Sequence, residues 1–329
     1  MNPLRRAVLA GPVLLALAAF GVAPATVAQS YPSKPIRMLV PFPAGGGTDF
    51  VARTLAQQLA GPLGQQIVVE NRAGASGMIG VEAAARSPAD GYTVLIAGVG
   101  ELTINPSLYR KVPYDTLKDF RPVSLVAKNP LMLVVNPAVL PVATLREVIA
   151  AAKASPGRIT YASFGPGSIA HVTGELFARR AGIQIVHVPY KGAAPALQDL
   201  VGGQVAMMFL DYSTAKSQFG SGKVRAIAVS TRERHPALPD IPSVHEAGLE
   251  NFDAYSWIGA AVPAGTPNEV ATKLEAEIIN ALNSPELRQR FSDYGVLPMP
   301  SGAERYAQFI RQELERWGDV VKSLDIVLE

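Results

Sequence analysis

Two glycine-bearing turns carry the residues best suited to chemistry in this 329-residue chain: Pro41-Phe42-Pro43-Ala44-Gly45-Gly46-Gly47-Thr48-Asp49 and Ser163-Phe164-Gly165-Pro166-Gly167-Ser168. Each follows a short apolar run and precedes a helical pattern. Glycines in such a turn let backbone N–H groups face a ligand without a Cβ in the way, and a helix N-terminus adds about half a positive charge. Both turns are therefore candidate anion cradles. No Lys or Arg occurs between Pro41 and Ala52 or between Tyr161 and Arg179, so an anion there would be held by dipoles and hydroxyls. The plainer reading makes each a tight turn, with Thr48 and Ser168 as helix N-caps and Asp49 complementing the helix dipole. Two cradles in separate halves favour a cleft that grips one anionic ligand from both sides.

Other chemistry finds less support. The glycine run is neither a Walker loop, since no Lys precedes Thr48, nor a dinucleotide fingerprint. The four histidines, His171, His187, His235 and His245, lack a metal-ligand spacing, and no metal or cofactor is expected. The chain has no cysteine, which removes disulfides, thiolate metal sites and a thiol nucleophile. Ser168 and His171 lie on one predicted helix with no carboxylate partner arguable from spacing, so a secreted serine hydrolase is an alternative rather than the main reading. Asp211 and Tyr190 follow apolar runs, where ligand sites of α/β proteins lie, but a capping aspartate or a turn tyrosine would look the same. Phe42 and Phe164 either pack their loops or wall a small organic ligand.

The elements that must position these residues are legible as alternation. Expected strands at 36–40, 66–69, 93–97, 131–135, 158–162, 184–188, 205–210, 224–230 and 257–262 are mostly separated by helical patterns, which predicts an α/β architecture with parallel strands. A helix over 48–60, stopped by Gly61 and Pro62, turns Val51, Leu55 and Leu59 toward a sheet, and the last third is mostly helix at 267–282, 285–294 and 302–322. The first 28 residues read as a secretory signal: Arg5 and Arg6, an apolar stretch from Val8 to Ala19, and small residues ending at Ala28, where cleavage is expected. Without them the formal charge falls from +3 to +1, with no Lys/Arg cluster, which argues against nucleic acid as a partner. At 48% hydrophobic and 17% charged residues the chain is an ordinary globular one, not a disordered one.

The order and spacing of several motifs resemble those of the Bug-type (Bordetella uptake gene) periplasmic solute-binding proteins of tripartite tricarboxylate transporters. The marks are Val40-Pro41-Phe42-Pro43-Ala44-Gly45-Gly46-Gly47-Thr48-Asp49, Val69-Glu70-Asn71-Arg72 with Gly74-Ala75-Ser76-Gly77, and Asp90-Gly91-Tyr92-Thr93. They continue with Pro113-Tyr114-Asp115-Thr116, Lys118-Asp119-Phe120 and Val188-Pro189-Tyr190-Lys191-Gly192. The resemblance implies a two-lobed Venus-flytrap fold, each lobe a mainly parallel sheet flanked by helices. Lobe 1 is expected at 29–123 and 229–329 and lobe 2 at 124–228, with crossings near Val123 and Val229. It further implies capture of a small organic carboxylate, aliphatic or aromatic, with help from bridging waters. The contacts carried over are Phe42, Ala44, Gly45, Gly46, Gly47, Thr48 and Asp49 in one lobe, and Ser163, Phe164, Gly167, Ser168 and His171 in the other, with Tyr190 and Asp211 lining the cleft. Partners implied are an inner-membrane permease, or alternatively a sensor kinase, for a monomeric periplasmic protein. Ala193-Ala194, Ala206 and Glu101 depart from the family pattern, and Glu101 is expected either to line the cleft or to be exposed.

Overall fold

The computed structural model describes residues 31–324 and 327–328; the proposed signal segment lies outside the described residues. The chain opens with β1 (Ile36–Val40), α1 (Gly47–Leu63), β2 (Ile67–Asn71), a tight turn Ala75–Gly77, α2 (Met78–Ala85), β3 (Thr93–Gly98), a wide helical turn Gly100–Ile104 and α3 (Asn105–Leu108). It continues with β4 (Phe120–Val135), α4 (Leu145–Ala154), β5 (Thr160–Ser163), α5 (Ile169–Ala181), β6 (Val186–Pro189), α6 (Ala193–Val201), β7 (Met207–Asp211), α7 (Tyr212–Ala215) and β8 (Arg225–Val229). The last part holds β9 (Tyr255–Pro263), α8 (Asn268–Asn283), α9 (Pro285–Tyr294), the short β10 (Leu297–Pro298) and α10 (Ala303–Leu324).

Parallel pairing holds where crossover helices intervene, between β1 and both β2 and β3, and between β5 and both β6 and β7. The strands that join these two sets are antiparallel: β9 lies between β3 and β4, and β4 continues along β7 and β8. The sixteen residues of β4 run through both sets. Its pairing with β9 ends at Pro130 opposite Tyr255, and its pairing with β7 begins at Leu131 opposite Asp211. Only the apolar end of this strand, 131–135, is visible as a strand in the sequence. Arg121, Pro122, Lys128, Asn129 and Pro130 interrupt the pattern before it, and the register shifts between Pro122 and Ser124 absorb a proline that cannot donate to a ladder.

The core follows from the same alternation. Leu39, Leu95, Leu133 and Val135 share one cluster with Phe177, Phe209, Trp257 and Trp317, while Met38, Val40, Ile96 and Val126 pack on the apolar stripe of α1. In α1 that stripe is Val51, Ala52, Leu55, Ala56, Leu59 and Leu63, all buried. Two expectations for this helix are corrected. Its N-cap is Gly46 rather than Thr48, which sits inside the first turn and makes no capping hydrogen bond. The helix also runs past Gly61 and Pro62 to Leu63, because Leu63 is buried and Gly64 closes the end in the left-handed conformation with its N–H on Gly61 O. Pro62 forgoes the hydrogen bond to the carbonyl four residues earlier, a local cost of the final turn that the burial of Leu63 offsets.

Candidate ligand-binding site

The first loop is built around Asp49. Its side chain is buried, and Oδ2 accepts from Gly45 N–H at 2.9 Å and from Arg53 Nε at 2.9 Å, while Oδ1 accepts from Asn71 Nδ2 at 2.8 Å. The same Asn71 amide donates to Phe42 O at 3.0 Å. Burial opposes ionisation of Asp49, but the hydrogen bonds from Arg53, Gly45 and Asn71 outweigh it and hold the carboxyl below its ordinary range. Asp49 thus spends its acceptors on folding the loop back on itself. Gly45 permits the fold with φ +86°. What this leaves open is the start of α1: the N–H groups of Gly46, Gly47 and Thr48 make no hydrogen bond among the described residues, and Pro43 to Gly46 are exposed. Phe42 is half-buried against the core beneath α1.

The second loop differs. Ser168 caps α5, accepting from His171 N–H at 3.3 Å, and its hydroxyl donates to Gly165 O at 2.7 Å. Gly167 N–H donates to His171 Nδ1 at 3.1 Å, Gly165 N–H to Ser163 Oγ at 3.1 Å, and Ser168 N–H to Gly165 O at 3.2 Å. The amides of Gly165, Gly167 and Ser168 are thereby satisfied within the loop, so this turn is a shaped, self-bonded wall rather than an open set of donors. His171 stacks on His187 with ring centroids 4.0 Å apart, and His187 Nε2 is 2.6 Å from Ser163 Oγ. Burial, and for His171 also its histidine neighbour, pushes both imidazoles down to about 4, so both are neutral and His171 Nδ1 can accept from Gly167. The imidazole of His171 is turned to Gly167 and not to Ser168 Oγ, an arrangement that does not activate a nucleophile.

The β2–α2 connection lies between the loops. Asn71 ties it to the first; at its other end Ser76 Oγ is 2.8 Å from Tyr109 OH and 3.5 Å from Pro166 O, and Asn105 Nδ2 donates to Ser76 O at 3.0 Å. Gly167 approaches the same place: a Cβ there would lie 2.5 Å from Leu108 Cδ2. Tyr190 joins the second loop through its N–H on Ser163 O at 3.1 Å, but its phenol donates to Asp199 at 2.7 Å, and burial with that partner pushes it up to about 12. Asp211 ends β7 and caps α7, accepting from Thr214 N–H at 3.0 Å and from the Ser213 hydroxyl. Tyr294, at the end of α9, stacks on Phe50 at 3.7 Å. Burial raises its phenol, Ser213 lowers it, and the negative charges of Asp211 and Asp49 raise it further, so its hydroxyl lies in the field of carboxylates from both sets of strands. Glu101 is buried rather than exposed: its Oε2 accepts Gly98 N–H at 2.8 Å, and burial raises it to about 7. A concavity of about 520 Å³ lies elsewhere, between α3 and α10, lined by Ser107, Leu314, Gly318 and Lys322 among others.

The model of the family described as "Tripartite tricarboxylate transporter family receptor" matches residues 51–326. The chain belongs to this family. Protein BugT of Bordetella pertussis is 40% identical to it over 307 residues, covering 93% of this chain and 94% of BugT. The solved structure of R. palustris Rpa4515 with adipate aligns with TM-score 0.85 at 34% identity, covering 90% of this chain and 99% of that one. MatC from Rhodopseudomonas palustris with bound malate aligns with TM-score 0.80 at 34% identity, covering 88% and 100%. Receptors of this family are periplasmic binding proteins and not enzymes, and the two-lobed binding-protein fold implied by the motifs is theirs. Among the described residues no helix is long and apolar enough to cross a membrane, and no cluster of His, Asp or Glu is arranged to hold a metal.

Within this receptor fold, sequence reasoning missed the residues that connect the loops. Asn71 stands in a quoted motif but was given no role; its three partners become evident only when β2 is laid beside β1. Ser76, Asn105 and Tyr109 come from segments without a glycine-turn signature, and Tyr294 from a helix end more than 240 residues beyond the loop it faces. Asn129, on β4, has its Nδ2 3.5 Å from where a Cβ on Gly47 would lie.

Proposed function

We propose that this receptor captures a small organic carboxylate at the start of α1 and delivers it to the membrane component of a tripartite tricarboxylate transporter. The observation that carries the reading is the set of N–H groups of Gly46, Gly47 and Thr48, which the Asp49-centred fold of the loop leaves without partners among the described residues. Backbone donors at a helix N-terminus favour an anion and cost no reorganisation when it binds. Relatives solved with adipate and with malate support a carboxylate as that anion. In this reading the 163–168 loop, with Phe164 and Tyr190, is the opposing wall. Ser163, Gly167, Ser168 and His171 shape that wall and Asp49 shapes the α1 side, while Phe42, Ala44 and Gly45 border the donors and Asp211 orders the second lobe's rim.

The lobes would move about the two places where the chain passes between strand sets, near Pro130 on β4 and between β8 and β9. Closure of two lobes about such crossings buries the ligand and changes the outer surface that a membrane partner reads. The protein acts as an exported monomer from which the segment ending at Ala28 has been removed. A thermal-shift series of aliphatic di- and tricarboxylates, aromatic carboxylates, and neutral and cationic metabolites tests the reading. At about 100 times its dissociation constant, a true ligand adds about 2.7 kcal/mol of stability. Stabilisation by a neutral or cationic solute with none from any carboxylate would overturn it.

A further inference from the structure

We propose that the side-chain amide of Asn129 is a specificity-setting ligand contact, donating from the crossing strand to the anion held at the start of α1; the proposal rests on the carboxylate reading above. Asn129 is 8% exposed and stands one residue before the point where β4 exchanges β9 for β7 as its partner. Its backbone is engaged opposite Ser256, but its side-chain amide makes no hydrogen bond among the described residues. Most of the residue is enclosed, yet its amide keeps contact with solvent and, among the described residues, has no protein partner, so both its donors are free for a ligand. The amide is turned to the helix start: Nδ2 lies 3.5 Å from the Cβ position of Gly47, the first residue of α1, whose own N–H is also unbonded.

The neighbouring cations are committed elsewhere. Lys128 lies over the Tyr255 ring at 4.1 Å, and Arg53 is bound to Asp49 and Asn71. The polar group left facing the helix start is therefore neutral. A neutral donor adds direction to the dipole-held anion without adding charge, which suits reversible capture. It also discriminates by shape, because a ligand that puts an apolar atom against the amide leaves it buried and unpaired, a larger penalty than a lost contact. A glycine at position 47 keeps that approach open, since any longer side chain would stand between the amide and the ligand.

Asn129→Leu keeps the volume and deletes the amide; Asn129→Asp keeps the shape and replaces the donor with a charge. Calorimetric titration of succinate, malate, adipate and citrate into the wild type and both variants at pH 7.5 is expected to give a loss of about ten- to a hundredfold in Asn129→Leu for whichever acid the wild type binds. Asn129→Asp is expected to lose more. The ligand-free melting temperature of Asn129→Leu should equal or exceed that of the wild type, since no native hydrogen bond is removed, whereas an amide with a structural role would lower it. Affinity within threefold of wild type in Asn129→Leu, or in Asn129→Asp should the leucine variant not fold, overturns the proposal while leaving the carboxylate reading in place. A wild type that binds none of the four acids overturns that reading, and this inference with it.

Discussion

Gly46 holds φ −81° and ψ 172°, a conformation open to any residue, and a Cβ there would meet only Pro43 O at 3.7 Å. Steric room and absence of strain mean that a branched side chain can be placed at the mouth of α1 with the loop intact. Gly46→Val is therefore expected to fold, at a cost of about 1 kcal/mol from a poorer N-cap, while blocking approach to the open amides. Loss of hydrogen bonds to an anionic ligand costs about 1.5–3 kcal/mol, so calorimetry should show affinity falling at least tenfold. Thr48→Ala is the matched control. Because Thr48 is not the cap, its removal should change stability by no more than about 0.5 kcal/mol, the ordinary surface range, in a urea titration. Unchanged affinity in Gly46→Val would mean that the ligand does not approach this end of the helix. The contrast between the loops also lies at this scale: Asp49 folds its turn without touching the amides of Gly46 to Thr48, whereas Ser163 Oγ, His171 Nδ1 and the Gly165 carbonyl take up those of Gly165, Gly167 and Ser168.

At the scale of elements, α10 is held to the sheet by one carboxylate. Glu313 is 4% exposed, and its Oε2 accepts from both Trp257 Nε1 at 2.8 Å and Trp317 Nε1 at 2.9 Å, while Oε1 accepts from Arg316 at 3.0 Å. Removing it leaves two buried indole N–H groups unpaired and takes from Arg316 its carboxylate partner, leaving the guanidinium its bond to Asp253 O. Glu313→Leu should accordingly cost about 3–5 kcal/mol of unfolding free energy with carboxylate affinity unchanged, read by urea denaturation and calorimetry. A cost below 1 kcal/mol would show that α10 is docked by its apolar face alone. Such long-range pairs mark where the sequence stops being legible. Strands β1, β3 and β8 and helices α5, α8 and α9 are recognisable from apolar period and turn residues, because what makes them is local. Ser168 as a cap and Gly182 as a left-handed terminator are local too. The first half of β4 is not, since its prolines, Lys128 and Asn129 are tolerated only because β9 and β10 supply the pairing. For the same reason Asn71 and Asn129 carry no signal of their own; their relation to the α1 loop exists only once the five strands β2, β1, β3, β9 and β4 are side by side.

For the molecule as a whole, opposing titrations set how stability responds to acid. His171 and His187 fall from an ordinary value near 6.5 to about 4 through burial, and burial also lowers His235. Between those limits the unfolded chain binds protons that the folded chain refuses, so their contribution is present above pH 6.5 and is lost as the pH falls toward 4. Glu101 acts the other way. Raised by burial from 4.5 to about 7, it keeps its proton in the folded state where the unfolded chain has lost it, so its contribution is present below pH 4.5 and fades as the pH rises through 7. In the overlap, pH 4.5 to 6.5, two or three histidines oppose one glutamate, and the net proton uptake on unfolding is positive. Each such proton is worth about 1.4 kcal/mol per pH unit at most, and partial exposure of His187 reduces its share. The urea midpoint should therefore fall as the pH is lowered from 7 to 5. Glu101→Gln, which retains an acceptor for Gly98 N–H and removes the opposing titration, should make that fall steeper. Below about pH 4 acid also strikes the second loop directly, because protonated His171 cannot accept from Gly167 N–H, so the 163–168 turn should loosen there. Hydrogen exchange at Gly167, corrected for the intrinsic pH dependence of exchange, from pH 7 down to about pH 3 reads that step: an amide as protected at pH 3 as at pH 7 would mean that neutral His171 is not what holds the loop.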